Sequence, residues 1–97
     1  MLRLPEKLTL DDAPVALAAL AQGLSGKVGG ATATVDASGL LRFDSAALAV
    51  LLECRRLAQA AGQSFAVHGA PSKLAELARL YGLDVLLPLA VLPGDPR

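Results

Sequence analysis

The 97-residue chain has no tryptophan, one cysteine, one histidine, one tyrosine and two phenylalanines. With Cys54 as the sole cysteine, an intramolecular disulfide and a cysteine-cluster metal site are both excluded, and a reducing compartment fits. With His68 as the sole histidine, a nucleophilic dyad has two candidates, Ser45 with His68 or Cys54 with His68. An excess of charge of one sign is also missing, because nine Lys and Arg balance nine Asp and Glu. No Lys/Arg-rich run interrupts the sequence, so the electrostatic footprint of a nucleic-acid binder is absent. Long hydrophobic runs are lacking too. The apolar stretch 15–20 follows Asp11 and Asp12 rather than a basic segment and is too short to cross a bilayer. Neither a signal peptide, a membrane anchor nor direct membrane insertion is expected.

What the chain does have is a 54% apolar composition supplied mainly by Ala and Leu, which argues against disorder over most of its length. A chain this short supports one hydrophobic core. The expectation is a single domain over residues 1–92, followed by a flexible tail over 93–97 that holds Pro93, Gly94 and Pro96.

Strand and helix signals alternate. Residues 8–10 read as a short strand, after which Asp11 or Asp12 caps an Ala/Leu-rich helix that tolerates Pro14 in its first turn. Gly23 ends that helix, and residues 23–30 form a glycine-rich loop. Small and β-branched residues predict a strand over 31–35, closed by Asp36 and Ser38-Gly39. Leu40, Leu41 and Phe43 then tuck the connection against the core before Asp44 caps a second helix, which runs to about Ala61 and stops at Gly62. A strand over 65–67, a turn over 69–72 and a third helix follow, with Pro71 near the helix start. Leu74, Leu77, Ala78 and Tyr81 share one face of this third helix, and Gly82 ends it. Residues 85–87 predict a last short strand. This order argues for an α/β fold with a mainly parallel sheet covered by helices.

The second helix carries the strongest functional signal. Its start leaves the Ser45 hydroxyl beside unpaired backbone N–H groups and the positive end of the helix dipole, a setting suited to anion contact, phosphorylation or docking. At 100° per residue, Ala47, Val50, Leu51, Cys54, Leu57, Ala58 and Ala61 form the core face. The other side carries Ser45, Glu53, Arg55, Arg56 and Gln59, but also Leu48, Ala49 and Leu52. Leu48 and Leu52 make an apolar strip between the Ser45 hydroxyl and the Arg56 guanidinium. We read this strip as a partner surface, because small domains usually disperse such residues. A helix lying deeper in the fold is the alternative.

Other chemistry finds little support. His68 lies between a strand and a turn, where structural roles dominate, and Cys54 falls on the core face as a small apolar side chain. Asp36 and Asp44 could be imagined as an acid/base pair, yet a strand-end and a helix-capping role explain them locally. The glycines at 23, 26, 29 and 30 match neither GxxxxGK[ST] nor GxGxxG, and Gly26-Lys27 follows a helix rather than opening one. No catalytic residue, metal or cofactor is expected.

Taken as a set, Asp36-Ala37-Ser38, Phe43-Asp44-Ser45 leading into Leu48 and Leu51-Leu52, the Gly62 turn, the Phe65 strand and the segment from Ala75 to Leu83 resemble the STAS domains of anti-sigma-factor antagonists and transporter-associated regulators. The resemblance implies a mixed, mainly parallel sheet with helices on one face, and a Ser/Thr at a helix start that controls partner binding. Ser45 occupies that position. Within the family, the short chain, the 44–58 helix and the LARLYGLD segment are similar to the MlaB-like stand-alone subunits of Mla-type phospholipid ABC transporters. That likeness implies a non-enzymatic, cytoplasmic protein held at the inner membrane by its complex. Its partner would be the ATPase subunit, contacted by Ser45, Leu48, Ala49, Leu52 and Arg56. The anti-sigma likeness implies instead a serine kinase and an anti-sigma factor as partners, with phosphorylation of Ser45 as the switch. Ala46-Ala47 stands where many of those antagonists carry Ser-Gly.

Overall fold

The computed structural model describes residues 2–25, 32–87 and 89–91. In chain order the elements are β1 (Leu2–Arg3), β2 (Lys7–Leu8), α1 (Ala13–Ser25), β3 (Thr32–Asp36), β4 (Arg42–Phe43), α2 (Ser45–Ala60), β5 (Ser64–Ala70), α3 (Ser72–Leu80) and β6 (Leu89–Val91). β1, β3, β5 and β6 form a four-stranded sheet in that spatial order, and β2 with β4 forms a separate two-stranded ladder. Every one of these pairings is parallel, so the architecture is the expected α/β class. The main sheet advances one strand at a time in a single direction. Right-handed crossovers then put α1, α2 and α3 on the same face.

Side-chain alternation along the strands fixes which face is covered. Ala33 stands opposite Phe65 and Val35 opposite Val67, while Leu2 and Leu89 extend the same apolar row to both edges. The alternate residues pair Thr32 with Ser64, Asp36 with His68 and Arg3 with Asp36, which makes a polar outer face. The helices meet the apolar row. Leu51, Cys54 and Ala58 of α2, Leu74 and Ala78 of α3, and Leu20 of α1 are buried in one cluster with Val35 and Val67.

Two of the three predicted helix stops, Gly62 and Gly82, hold for a hydrogen-bonding reason. Gly62 has φ +76° and Gly82 φ +70°. After α2, the Gly62 N–H donates to the Gln59 carbonyl and the Gln63 N–H to the Ala58 carbonyl. After α3, Gly82 donates to Arg79 and Leu83 to Ala78 in the same pattern. These paired bonds satisfy carbonyls that the helix leaves open, and the left-handed turn they need favours glycine.

Several expectations are corrected. The strand expected over 8–10 is shorter and earlier, because Thr9 turns the chain. The Thr9 N–H and hydroxyl both donate to Asp12 Oδ2, at 3.0 and 2.7 Å, while the Thr9 carbonyl accepts from the Asp12 and Ala13 N–H groups. Thr9 therefore opens the turn that leads into α1, while Asp12 directly precedes the helix as expected, its carbonyl accepting the Ala16 N–H and its carboxylate reaching back to Thr9. Gly23 lies inside α1 rather than ending it. A Cβ there would collide with the Leu2 side chain, so this glycine lets β1 approach the helix closely. Leu40 is buried and Phe43 half-buried as expected, but Leu41 is 69% exposed. Tyr81 is 56% exposed rather than on the buried face of α3. Residues 85–87 form no strand: the Leu87 N–H donates to the Leu83 carbonyl across a helical turn, and the strand comes at Leu89–Val91. Residue 31, the loop residues 26–30 and the tail 93–97 lie outside the described residues.

The deepest correction is Leu48. It is 2% exposed and belongs to the core cluster, because α2 rests on β5 and also runs alongside α1. The covered arc of α2 is therefore wider than one sheet contact requires. Replacing Leu48 by Ala is expected to lower unfolding free energy by about 2–5 kcal/mol. Ala49→Glu on the exposed neighbour is expected to stay within about 0.5 kcal/mol of the original. Urea denaturation of the two variants checks the contrast.

Candidate functional site

The site is built where the β2/β4 ladder releases its two strands into two helices. Leu8 pairs with Phe43. One strand then continues through Thr9 and Leu10 into α1, and the other through Asp44 into α2. Asp44 has extended backbone angles, and its Oδ1 accepts the Ala46 N–H at 2.8 Å, as a helix-capping carboxylate does. Its other oxygen, Oδ2, accepts the Leu10 N–H at 3.2 Å. A shallow groove at this junction is lined by Leu10, Ala13, Asp44, Ser45, Ala46 and Ala49.

From that groove the solvent side of α2 runs along Ser45, Ala49, Leu52 and Arg56. Ser45, Ala49 and Arg56 are exposed and Leu52 is half-buried. These four recur at helical spacing and share one side of the helix. Arg56 is not a free cation at the end of the strip: its Nε donates to Glu53 Oε1 at 2.9 Å and its Nη2 to Glu53 Oε2. This pairing holds the Glu53 carboxyl below its usual range. Leu48 lies behind the strip, in the core, and is not available to a partner that docks on the folded domain.

Asp36 and Ser38 act one loop earlier. The Ser38 N–H donates to Asp36 Oδ1 at 2.9 Å. Hydrogen bonding from Ser38 is the main reason the Asp36 carboxyl sits below its usual range, and the nearby Arg3 guanidinium adds to it. The Ala37 N–H donates to the His68 carbonyl at 2.8 Å. Gly69, at φ +70°, makes room for this turn, since a Cβ there would stand 3.0 Å from Ser38 Cβ and 3.3 Å from Asp36 Oδ1. The pair shapes the chain between β3 and β4 and leaves Leu40 buried beneath it.

The sequence model of a protein family described as "Mlab, STAS domain" matches residues 1–89. The chain belongs to this family. A search of curated proteins gave no match. STAS domains are generally non-enzymatic and work through protein–protein contacts, which directs attention to surfaces rather than to reactive groups. In this STAS domain Cys54 is fully buried, and burial, with the neighbouring Glu53 charge, pushes its thiol up to about 11. His68 is exposed within β5, two residues before its end. A Cys54–His68 dyad is therefore not assembled. Among the described residues, no cluster of three His, Cys, Asp or Glu is placed to hold a metal, and no helix is long and apolar enough to cross a membrane.

Leu10 and Ala13 were missed by the sequence reading of this STAS surface. Leu10, 74% exposed, stands beside Ser45. Its signal was the pair of similar segments Leu8-Thr9-Leu10-Asp11 and Phe43-Asp44-Ser45-Ala46, each a strand end passing through a cap into a helix. The burial of Cys54 gives a direct test. The native STAS domain is expected to leave a thiol reagent such as dithionitrobenzoate unreacted at pH 8, whereas the urea-unfolded chain consumes one equivalent.

Proposed function

We propose that this STAS domain is a non-catalytic subunit of an Mla-type ABC transporter, acting in phospholipid trafficking and outer-membrane lipid asymmetry. It docks on the cytoplasmic ATPase subunit and supports that subunit's assembly and activity, staying peripheral to the inner membrane through the complex. The observation that carries the reading is the solvent side of α2: an accessible hydroxyl at Ser45, small Ala49, half-buried Leu52 and the Arg56–Glu53 pair at the far end. Family membership over residues 1–89 supports it. A helix face made of one hydroxyl, two apolar side chains and an Arg–Glu pair can bury surface against a partner. Such a face suits a protein partner.

The exposed Ser45 hydroxyl in the first helical turn favours one second reading, an anti-sigma-factor antagonist. There a serine kinase adds roughly −1.5 to −2 charge units at Ser45 and changes affinity for the anti-sigma factor. Affinity purification of the tagged protein from its native cells, with mass spectrometry of the partners and of the intact chain, separates the two. The transport reading predicts an ABC ATPase and permease with unmodified Ser45. Recovery of a serine kinase or anti-sigma factor, with a phosphate mass on this chain, overturns it. Under the transport reading, Leu52→Asp and Ala49→Glu are expected to cut ATPase recovery by more than about tenfold, because each places a charge in a contact that must be desolvated. Ser45→Ala is expected to weaken recovery less. Circular dichroism of Ala49→Glu and Ser45→Ala is expected to match that of the original protein; Leu52 also packs against the core, so Leu52→Asp counts only if it keeps the original spectrum.

A further inference from the structure

We propose that the apolar segment beyond α3 is where a second copy of this chain docks, in a weak two-fold dimer centred on Leu80, Tyr81, Val85 and Leu86. This contact stands apart from the ATPase reading above, since α2 takes no part in it.

The core uses few residues of this segment, which leaves the others exposed. Leu83 packs against the core and Leu87 is buried in it, and these two pin the chain between α3 and β6. The Leu83 N–H donates to the Ala78 carbonyl at 2.7 Å and the Leu87 N–H to the Leu83 carbonyl at 2.8 Å, so the backbone makes two successive turns. The remaining apolar side chains stand outward. Leu80 is 78% exposed and Val85 85%, with Tyr81 and Leu86 exposed beside them in sequence. These four large apolar side chains fall within one stretch of seven residues, and no other stretch of that length among the described residues exposes more than two. Scattered exposed leucines are ordinary, but a cluster of roughly 400 Å² reaches the size at which a surface usually has a partner.

Three observations select a second copy as that partner. The first is charge. Arg79 lies just before the cluster and Asp84 within it, both are exposed, and neither enters an ion pair among the described residues. Across a two-fold axis the two segments run antiparallel, so Arg79 of each copy faces Asp84 of the other. One surface then supplies both the apolar contact and two complementary pairs. The second is that the chain has a formal net charge of zero, so two copies approach without long-range repulsion. The third is area: two such patches bury roughly 800 Å² together, below the roughly 1,200–2,000 Å² of stable complexes. That size suits self-association that depends on concentration, in which the segment tolerates water when the copies are apart. A bilayer surface fits less well. Anionic leaflets attract clustered Lys and Arg, whereas this segment offers one cation, and Asp84 in its middle would enter the apolar boundary at a cost.

Sedimentation velocity from about 10 µM to about 1 mM measures the self-association, with circular dichroism on every variant. The original protein is expected to shift from monomer toward dimer with a Kd on the order of 100 µM. Val85→Asp and Leu80→Gln are expected to weaken association by at least about tenfold with unchanged spectra, since both side chains are exposed. Arg79→Glu alone and Asp84→Arg alone are each expected to weaken it by about tenfold. Mixing these two single variants is expected to restore it, because each then meets opposite charge on the other. A protein that stays monomeric at the highest concentration overturns the proposal, as does association that survives both Val85→Asp and Leu80→Gln. Charge variants that mixing fails to rescue overturn the two-fold arrangement. Flotation with vesicles of phosphatidylethanolamine and phosphatidylglycerol, lost in Val85→Asp and shown by a protein that is monomeric in solution, would assign the face to a bilayer instead.

Discussion

The embedding of α2 against two neighbours at once is the constraint on which the rest of this domain depends. Leu51, Cys54 and Ala58 rest over the sheet, and Leu48 is buried as well because α1 lies alongside. A helix gripped on two sides has little freedom to rotate, since turning it would expose a full leucine, which costs about 1.5–3 kcal/mol. Its remaining arc is narrow and fixed in direction. Ser45, Ala49, Leu52 and Arg56 occupy that arc because the interior has claimed the other positions.

The same constraint explains how surface and core are coupled at the helix starts. α1 and α2 begin side by side because β2 and β4 run parallel, and Asp44 bridges the two beginnings. Burial also sorts the reactive groups. Cys54 is enclosed, His68 is exposed within β5, and the hydroxyl at Ser45 is the one left beside the open arc. A domain arranged in this way recognises partners by shape and contact.

Features governed by local chemistry were legible in the sequence. Asp44 as a cap, the stops at Gly62 and Gly82, the strand ending at Asp36 and the strand through Phe65 all follow from hydrogen-bonding groups or residue preferences within a few positions. Features set by tertiary placement were not. A helical wheel drawn for a single sheet contact leaves Leu48 outside, and only the position of α1 moves it inward. The β2/β4 ladder is two residues long on each side, too short for any periodic signal. The apolar run 85–87 fits a strand or a helical turn equally well, and the Leu83–Leu87 hydrogen bond decides it. At the site, Ser45, Ala49 and Arg56 came from the wheel, whereas Leu10 required knowing that two distant caps lie together.

Site-specific photo-crosslinking in the native complex tests the central claim most directly. A benzophenone amino acid is placed either at Ala49, on the open arc of α2, or at Val85, in the exposed apolar turn beyond α3. Docking through α2 predicts a crosslink to the ATPase subunit from Ala49 and none from Val85. A crosslink from Val85 with none from Ala49 would place the partner on a different part of the surface and contradict the account.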